Sequence, residues 1–205
     1  DLFVLALVIG LGIPAQGVIG GFSVLTNLNP YVVGLHFVLS VVLVVLSTVL
    51  VYRVYAGPRG VRASVPLWYS ALTHATSALV AITIRVGIIT TGCGPHADSG
   101  ASRNGLDSEL LQHVHSWPAY ATVAATVLLL IGALRLEQPR LARFTGILLA
   151  IEAVQVAVGL AQARLGLPEI LVGAHMVLAC CLAAAMTAVV LSLREPVASA
   201  VDAEK

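Results

Sequence analysis

Charge is what this chain has least of. Only 10% of its 205 residues are Asp, Glu, Lys or Arg, against roughly 25% in a soluble domain, and that scarcity excludes a water-soluble fold. Basic and acidic residues nearly balance, 11 against 10, so net charge says nothing for a nucleic-acid partner. Cysteine is scarce too. Cys180 and Cys181 are adjacent in an apolar run and read as small core residues, while Cys93 sits alone in a connecting loop, which excludes a disulfide framework. There is no signal-peptide pattern, and no period-two alternation of the kind a membrane barrel needs. The basic turns Gly57–Arg62 and Pro139–Arg143 lack the spacing of a phosphate loop.

Long apolar runs fill the space that charge leaves. Hydrophobic residues make up 59% of the chain, and roughly 20 of them in a row cross a bilayer as a helix. Six runs reach that length: Leu2–Ile19, Pro30–Val54, Pro66–Thr90, Leu110–Leu134, Leu141–Gln162 and Pro168–Leu193. The expected class is therefore an all-α polytopic membrane protein with six transmembrane helices. Arg53, Arg59, Arg62, Arg135, Arg140, Arg143, Arg194 and Lys205 fall on one side of these spans. Only Arg103 and Arg164 fall on the other, and Arg85 lies within a span. The positive-inside rule then places both ends of the chain in the cytoplasm.

An internal repeat organises the spans. Gln16-x3-Gly20-x13-Gly34-x-His36 recurs as Gln155-x3-Gly159-x13-Gly173-x-His175, with Pro30 and Pro168 in the intervening polar turns. Spans three and four precede the second copy and nothing precedes the first. With a four-helix repeat unit the parent protein has eight spans, and a start at Asp1 rather than Met fits the loss of two of them. The expected organisation is residues 1–62 as the second half of an N-terminal bundle, 63–195 as a complete C-terminal four-helix bundle, and 196–205 as a cytoplasmic tail. The rival is a six-span protein with one duplicated helix pair.

Three histidines fall at one expected depth. His36 and His175 follow Pro30 and Pro168 by similar distances, and His115 lies as far into its own span, each roughly 8–10 Å below the outer surface. Two neutral imidazoles at matched depth in a bundle core are what a six-coordinate haem iron requires; the alternative is hydrogen-bonded core histidines. Positions two apart on a helix point to nearly opposite sides, so only one of His113 and His115 faces the core, and His115 is the deeper. His74 reads as interfacial, and His96 belongs to the outer loop. Arg85 either snorkels to the interface or pairs with a haem propionate, a role His113 also suits. Glu152, three residues before Gln155 on one helix face, reads as bonding within the bundle, with proton movement as the alternative.

The ordered set of these pieces resembles the haem A synthase family, in its actinobacterial style, over essentially the whole chain. The residues that carry the resemblance are Gln16-Gly17-Val18-Ile19-Gly20-Gly21 with Val24 and Thr26, Leu35-His36-Phe37, and Thr91-Gly92-Cys93-Gly94-Pro95-His96. Val114-His115-Ser116 and Gly166-Leu167-Pro168-Glu169-x-Leu171-Val172-Gly173-x-His175 complete them. The resemblance implies haem b as cofactor, with His115 and His175 as axial ligands of its iron. It implies that His36 is one of two ligands to the substrate, haem o; Arg85, His96 and His113 are candidate propionate or loop contacts by position alone, and the resemblance carries no role onto Arg85. The implied reaction oxidises a ring methyl of haem o to formyl, giving haem A for cytochrome oxidase. The implied setting is the bacterial cytoplasmic membrane and its lipid, with haem O synthase and oxidase assembly factors as neighbours. The family's catalytic glutamate and second N-terminal histidine are absent from this sequence, so the chain alone is expected to be inactive. Cys93, where the family usually has Ser or Thr, Ser99, where it has Gly, and Arg85 depart from its pattern. Two other classes stand beside it: a di-haem electron-transfer cytochrome without substrate chemistry, which would use the same histidines, and a repeat-built transporter, which would explain the symmetry but not three histidines at one depth.

Overall fold

The structure is a computed structural model that describes residues 2–56, 59–93 and 105–196. It contains α1 (Leu2–Leu25), α2 (Pro30–Ala56), α3 (Leu67–Thr91), α4 (Ser108–Arg135), α5 (Pro139–Arg164) and α6 (Glu169–Leu191), with a short strand β1 (Arg59–Ala63) before α3 and another, β2 (Arg194–Pro196), after α6. All six helices are long and apolar enough to cross a membrane, so the chain is a multi-pass membrane protein.

Proline and capping side chains set the helix starts. Pro139 occupies the first turn of α5, where its missing N–H has no intrahelical partner to lose. Asp107 caps α4, its carboxylate accepting from the Leu110 amide at 2.8 Å. Asn29 Oδ1 likewise accepts from the Tyr31 amide at the start of α2. The ends carry the repeat into the backbone. Asn27 and Leu28 after α1, and Gly166 and Leu167 after α5, are consecutive left-handed residues at equivalent places. In both turns the second of them returns its amide to the helix it has left: Leu28 to the Ser23 carbonyl and Leu167 to the Gln162 carbonyl, each at 2.8 Å. A leucine is unfavourable in this conformation; the returned hydrogen bond and the following helix hold it there.

The helices α3, α4, α5 and α6 close a four-helix bundle, each packing on the next and α6 on α3, while α1 and α2 pair and α2 docks on α6 and α3. Tyr69, Leu129, Leu141, Leu148 and Val189 form the centre of the core, to which α1 and α2 contribute none of the fully buried members. Threonines line the same interior: Thr73, Thr76, Thr83 and Thr122 are buried, and each gives its hydroxyl to the carbonyl four residues back. That bond satisfies a polar group where no water is at hand.

Three sequence expectations change. The first helix runs to Leu25, past the expected Ile19, because Gly20 and Gly21 do not interrupt it: Ser23 Oγ bonds the Gly20 carbonyl at 2.6 Å and Thr26 Oγ1 the Phe22 carbonyl at 3.0 Å. The stretch Pro139–Arg143 is the first turn of α5 and not a connecting turn. Most of Gly57–Arg62 is strand: β1 pairs antiparallel with β2, Arg59 opposite Pro196 and Ala63 opposite Arg194. The expected boundary between residues 62 and 63 therefore falls within β1. Most of the expected tail, 196–205, lies outside the described residues.

Candidate functional site: facing imidazoles across the bundle

α4 and α6 are diagonal in the bundle, and each sends a histidine to its centre. The rings of His115 and His175 lie 6.3 Å apart, centre to centre, at 69° to one another. Both side chains are half-buried, and the Nδ1 atom of each is buried without a hydrogen-bond partner. The two helices between them provide the floors. A Cβ at Gly87 of α3 would stand 2.9 Å from His115 Cε1, and one at Gly159 of α5 would stand 3.2 Å from His175 Cε1. Each ring thus rests on bare backbone, and any larger residue beneath would lift it.

The repeat reproduces this seat in the first helix pair. His36 on α2 lies over Gly20 of α1, 3.3 Å from where a Cβ would be, and its Nδ1 is also buried and unpartnered. The repeated glutamine has a task that spacing alone does not disclose. Gln155 Nε2 donates to the His175 backbone carbonyl at 3.1 Å. Gln16 Nε2 donates to the His36 carbonyl at 3.3 Å and to Ser40 Oγ at 2.8 Å. The Gln–Gly–His pattern is thus a two-helix device: glycine seats the ring, and glutamine ties down the backbone that carries it. Among the described residues, only His115 and His175 form a pair of imidazoles. Sequence reasoning missed Gly87, which belongs to no repeat.

The bond from Gln155 has a modest expected energy. Gln155→Leu should lower unfolding stability in detergent by about 0.6 kcal/mol, the mean for interhelical hydrogen bonds in membranes. Its Oε1 is already without a partner, so the substitution leaves no new buried acceptor except the His175 carbonyl. A loss several times larger in thermal unfolding would contradict this role.

The other expected site residues lie elsewhere. Arg85 is exposed and stands between Thr83 and Gly87, which places it on the far side of α3 from His115. His113 is exposed and borders a cleft of about 420 Å³ on the outer face of α4 with Leu110, Val114 and Trp117. His74 is exposed on α3. His96 lies outside the described residues. A second open cleft, of about 630 Å³, runs between α2, α5 and α6, with Tyr52, Phe144 and Arg140 on its walls.

The donor set decides what the pair can hold. Among the described residues no three His, Cys, Asp or Glu side chains gather to bind an ion, whereas a structural tetrahedral metal takes four protein ligands. A haem iron, with four positions filled by its macrocycle, takes two axial ligands. Metal–imidazole bonds of about 2 Å, plus roughly 1 Å from each nitrogen to its ring centre, put two axial rings about 6 Å apart. The observed ring-centre separation of 6.3 Å is of that size. No protein-family model, curated protein or solved structure matches the chain in comparisons with known proteins.

Proposed function

We propose that the chain holds haem b between His115 and His175 as the haem b-binding part of a haem A synthase, the membrane oxidoreductase that converts a ring methyl of haem o to formyl. The observation that carries the haem reading is the imidazole pair, 6.3 Å apart, with each ring seated on a glycine of a neighbouring helix. Bound haem would supply one-electron transfer. The protein's part is positional. Gly87 and Gly159 fix the height of the two rings, Gln155 fixes the backbone of α6 at His175, and the apolar bundle keeps water away. The assignment to haem A synthesis rests further on the family resemblance and on His36, whose seat over Gly20 matches that of His175 over Gly159. In this reading His36 binds the iron of haem o, and no residue of this chain is assigned as the catalytic acid or base. The proposed setting is the bacterial cytoplasmic membrane, with the end that carries Arg53, Arg140 and Arg194 facing the cytoplasm. A haem O synthase would supply the substrate and oxidase assembly would consume the product.

A second reading, a di-haem electron-transfer cytochrome without substrate chemistry, would use the same three histidines. Reconstitution separates ligand from bystander. The purified chain with added haem is expected to give a low-spin bis-histidine absorption spectrum that His115→Ala and His175→Ala each abolish. His113→Ala, at an exposed position, should leave it intact. A spectrum unchanged in both ligand variants would overturn the assignment. Haem A formed from haem o by the protein in its membrane would distinguish the enzyme from the electron carrier.

A further inference from the structure

The most deeply buried carboxyl group among the described residues sits at the middle of a membrane span and outside the imidazole pair. Glu152 is 3% exposed and stands halfway along the 26-residue helix α5. An acid there is costly and marks function more often than packing. Thr126 Oγ1 on α4 donates to its Oε1 at 2.8 Å, and its Oε2 is buried with no partner. Thr126 departs from its neighbours in this. Thr73, Thr76, Thr83 and Thr122 spend their hydroxyl protons on their own helices, whereas Thr126 gives its proton across the bundle to a carboxyl oxygen. One side of the carboxyl is therefore held as an acceptor and the other is left open.

The repeat sharpens the point. Gln155 and Gly159 have counterparts in Gln16 and Gly20, but the counterpart of Glu152 is Ile13, which is exposed on α1. Thr145, two turns below Glu152 on the same face of α5 and likewise buried, corresponds to Ala6. The seat for a histidine needs neither polar group, because the first helix pair has the seat without them. Glu152 thus answers to something particular to the second half, where two imidazoles face each other. It lies about 10 Å along α5 from the glycine beneath His175. That is close enough for charge to be felt through a dry interior, where screening is weak.

We propose that Glu152 is a proton-binding site that takes up a proton when the centre held by His115 and His175 gains an electron. The proposal rests on the haem reading given above. An electron arrives from an external one-electron donor, a proton from the aqueous phase binds Oε2, and the carboxylate becomes a carboxylic acid; reoxidation releases both. The surroundings offer few competitors. The titratable side chains on the packed helices that are not exposed are His115 on α4 and His175 and Cys180 on α6, with Tyr69 opposite on α3; the charged side chains of α3, α4 and α6 are exposed.

The test is a potentiometric titration of the haem-reconstituted chain across neutral pH, with dithionite as reductant. In the wild-type protein the reduced-to-oxidised ratio at a fixed potential should fall with rising pH, by up to tenfold per unit. Glu152→Gln, which keeps the acceptor for Thr126, should keep the bis-histidine spectrum and lose most of that dependence. A variant that retains the wild-type slope overturns the proposal. A wild-type protein with no bis-histidine spectrum overturns the haem reading instead, and the coupling with it. Should the variant not fold, the wild-type protein decides through its reduced-minus-oxidised infrared spectrum. A new carboxylic-acid C=O band supports the proposal, and its absence overturns it.

Discussion

On the proposed haem reading, Gly87→Ala is expected to cut haem affinity by one to two orders of magnitude while leaving the fold as stable as before. The added methyl would stand 2.9 Å from His115 Cε1 and 3.3 Å from Nδ1, closer than carbon atoms approach, so something must move. What moves is the imidazole, the free end of a side chain, and not the α3 backbone. Ligand positions are exacting to about 0.2 Å, and residues that orient a ligand typically change affinity 10–100-fold when altered. Helix propensity acts in the opposite direction, since alanine is favoured over glycine by about 1 kcal/mol. The two readouts should therefore part: thermal unfolding in detergent unchanged or slightly raised, haem titration weakened. Gly159→Ala should behave alike but more mildly, because its contact with His175 is looser at 3.2 Å. Equal affinity in Gly87→Ala and wild type would mean that the seat is not a constraint.

Tyr69→Ala carries the largest expected loss of stability, about 3–5 kcal/mol, as for other large aromatic truncations. Tyr69 is fully buried. Its ring lies over Gly132, 3.0 Å from where a Cβ would be, its hydroxyl donates to the Leu129 carbonyl at 3.1 Å, and Trp68 meets it edge-on at 5.6 Å. In lipid the packing of helix on helix, not escape from water, holds a bundle together, so a void between α3 and α4 removes contacts that nothing replaces. Tyr69→Phe separates the ring from the hydroxyl and should cost about 1 kcal/mol. Thermal unfolding of the two variants checks both values; a loss in Tyr69→Ala no larger than that in Tyr69→Phe would refute the packing argument.

The six helices were legible because nothing else explains runs this apolar. Their ends were less so. Gly20 and Gly21 look like a break in water, yet in a span the helix passes through them, with Ser23 and Thr26 bonding back to its carbonyls. The ribbon was invisible, since Arg59–Ala63 has neither length nor alternation and acquires its partner only from the far end of the chain. The histidines were legible through the repeat, and His113 falls on the exposed side as helical geometry required. The seats beneath the rings were not: a glycine's use depends on which ring another helix brings to it. Gly87 and His115 meet without any pattern linking them in sequence.

Timing follows from the ribbon. Its two strands are separated along the chain by four helices, so they pair only after α6 has entered the membrane and the chain has turned back. Closing so distant a contact is slow and comes late. The backbone hydrogen bonds between Arg59–Ala63 and Arg194–Pro196, with the Ser64 amide and hydroxyl on the Leu193 carbonyl, therefore act as a clasp that shuts once the four helices between them are in place. Protection of those amides from exchange would mark the moment at which the bundle of α3, α4, α5 and α6 is closed.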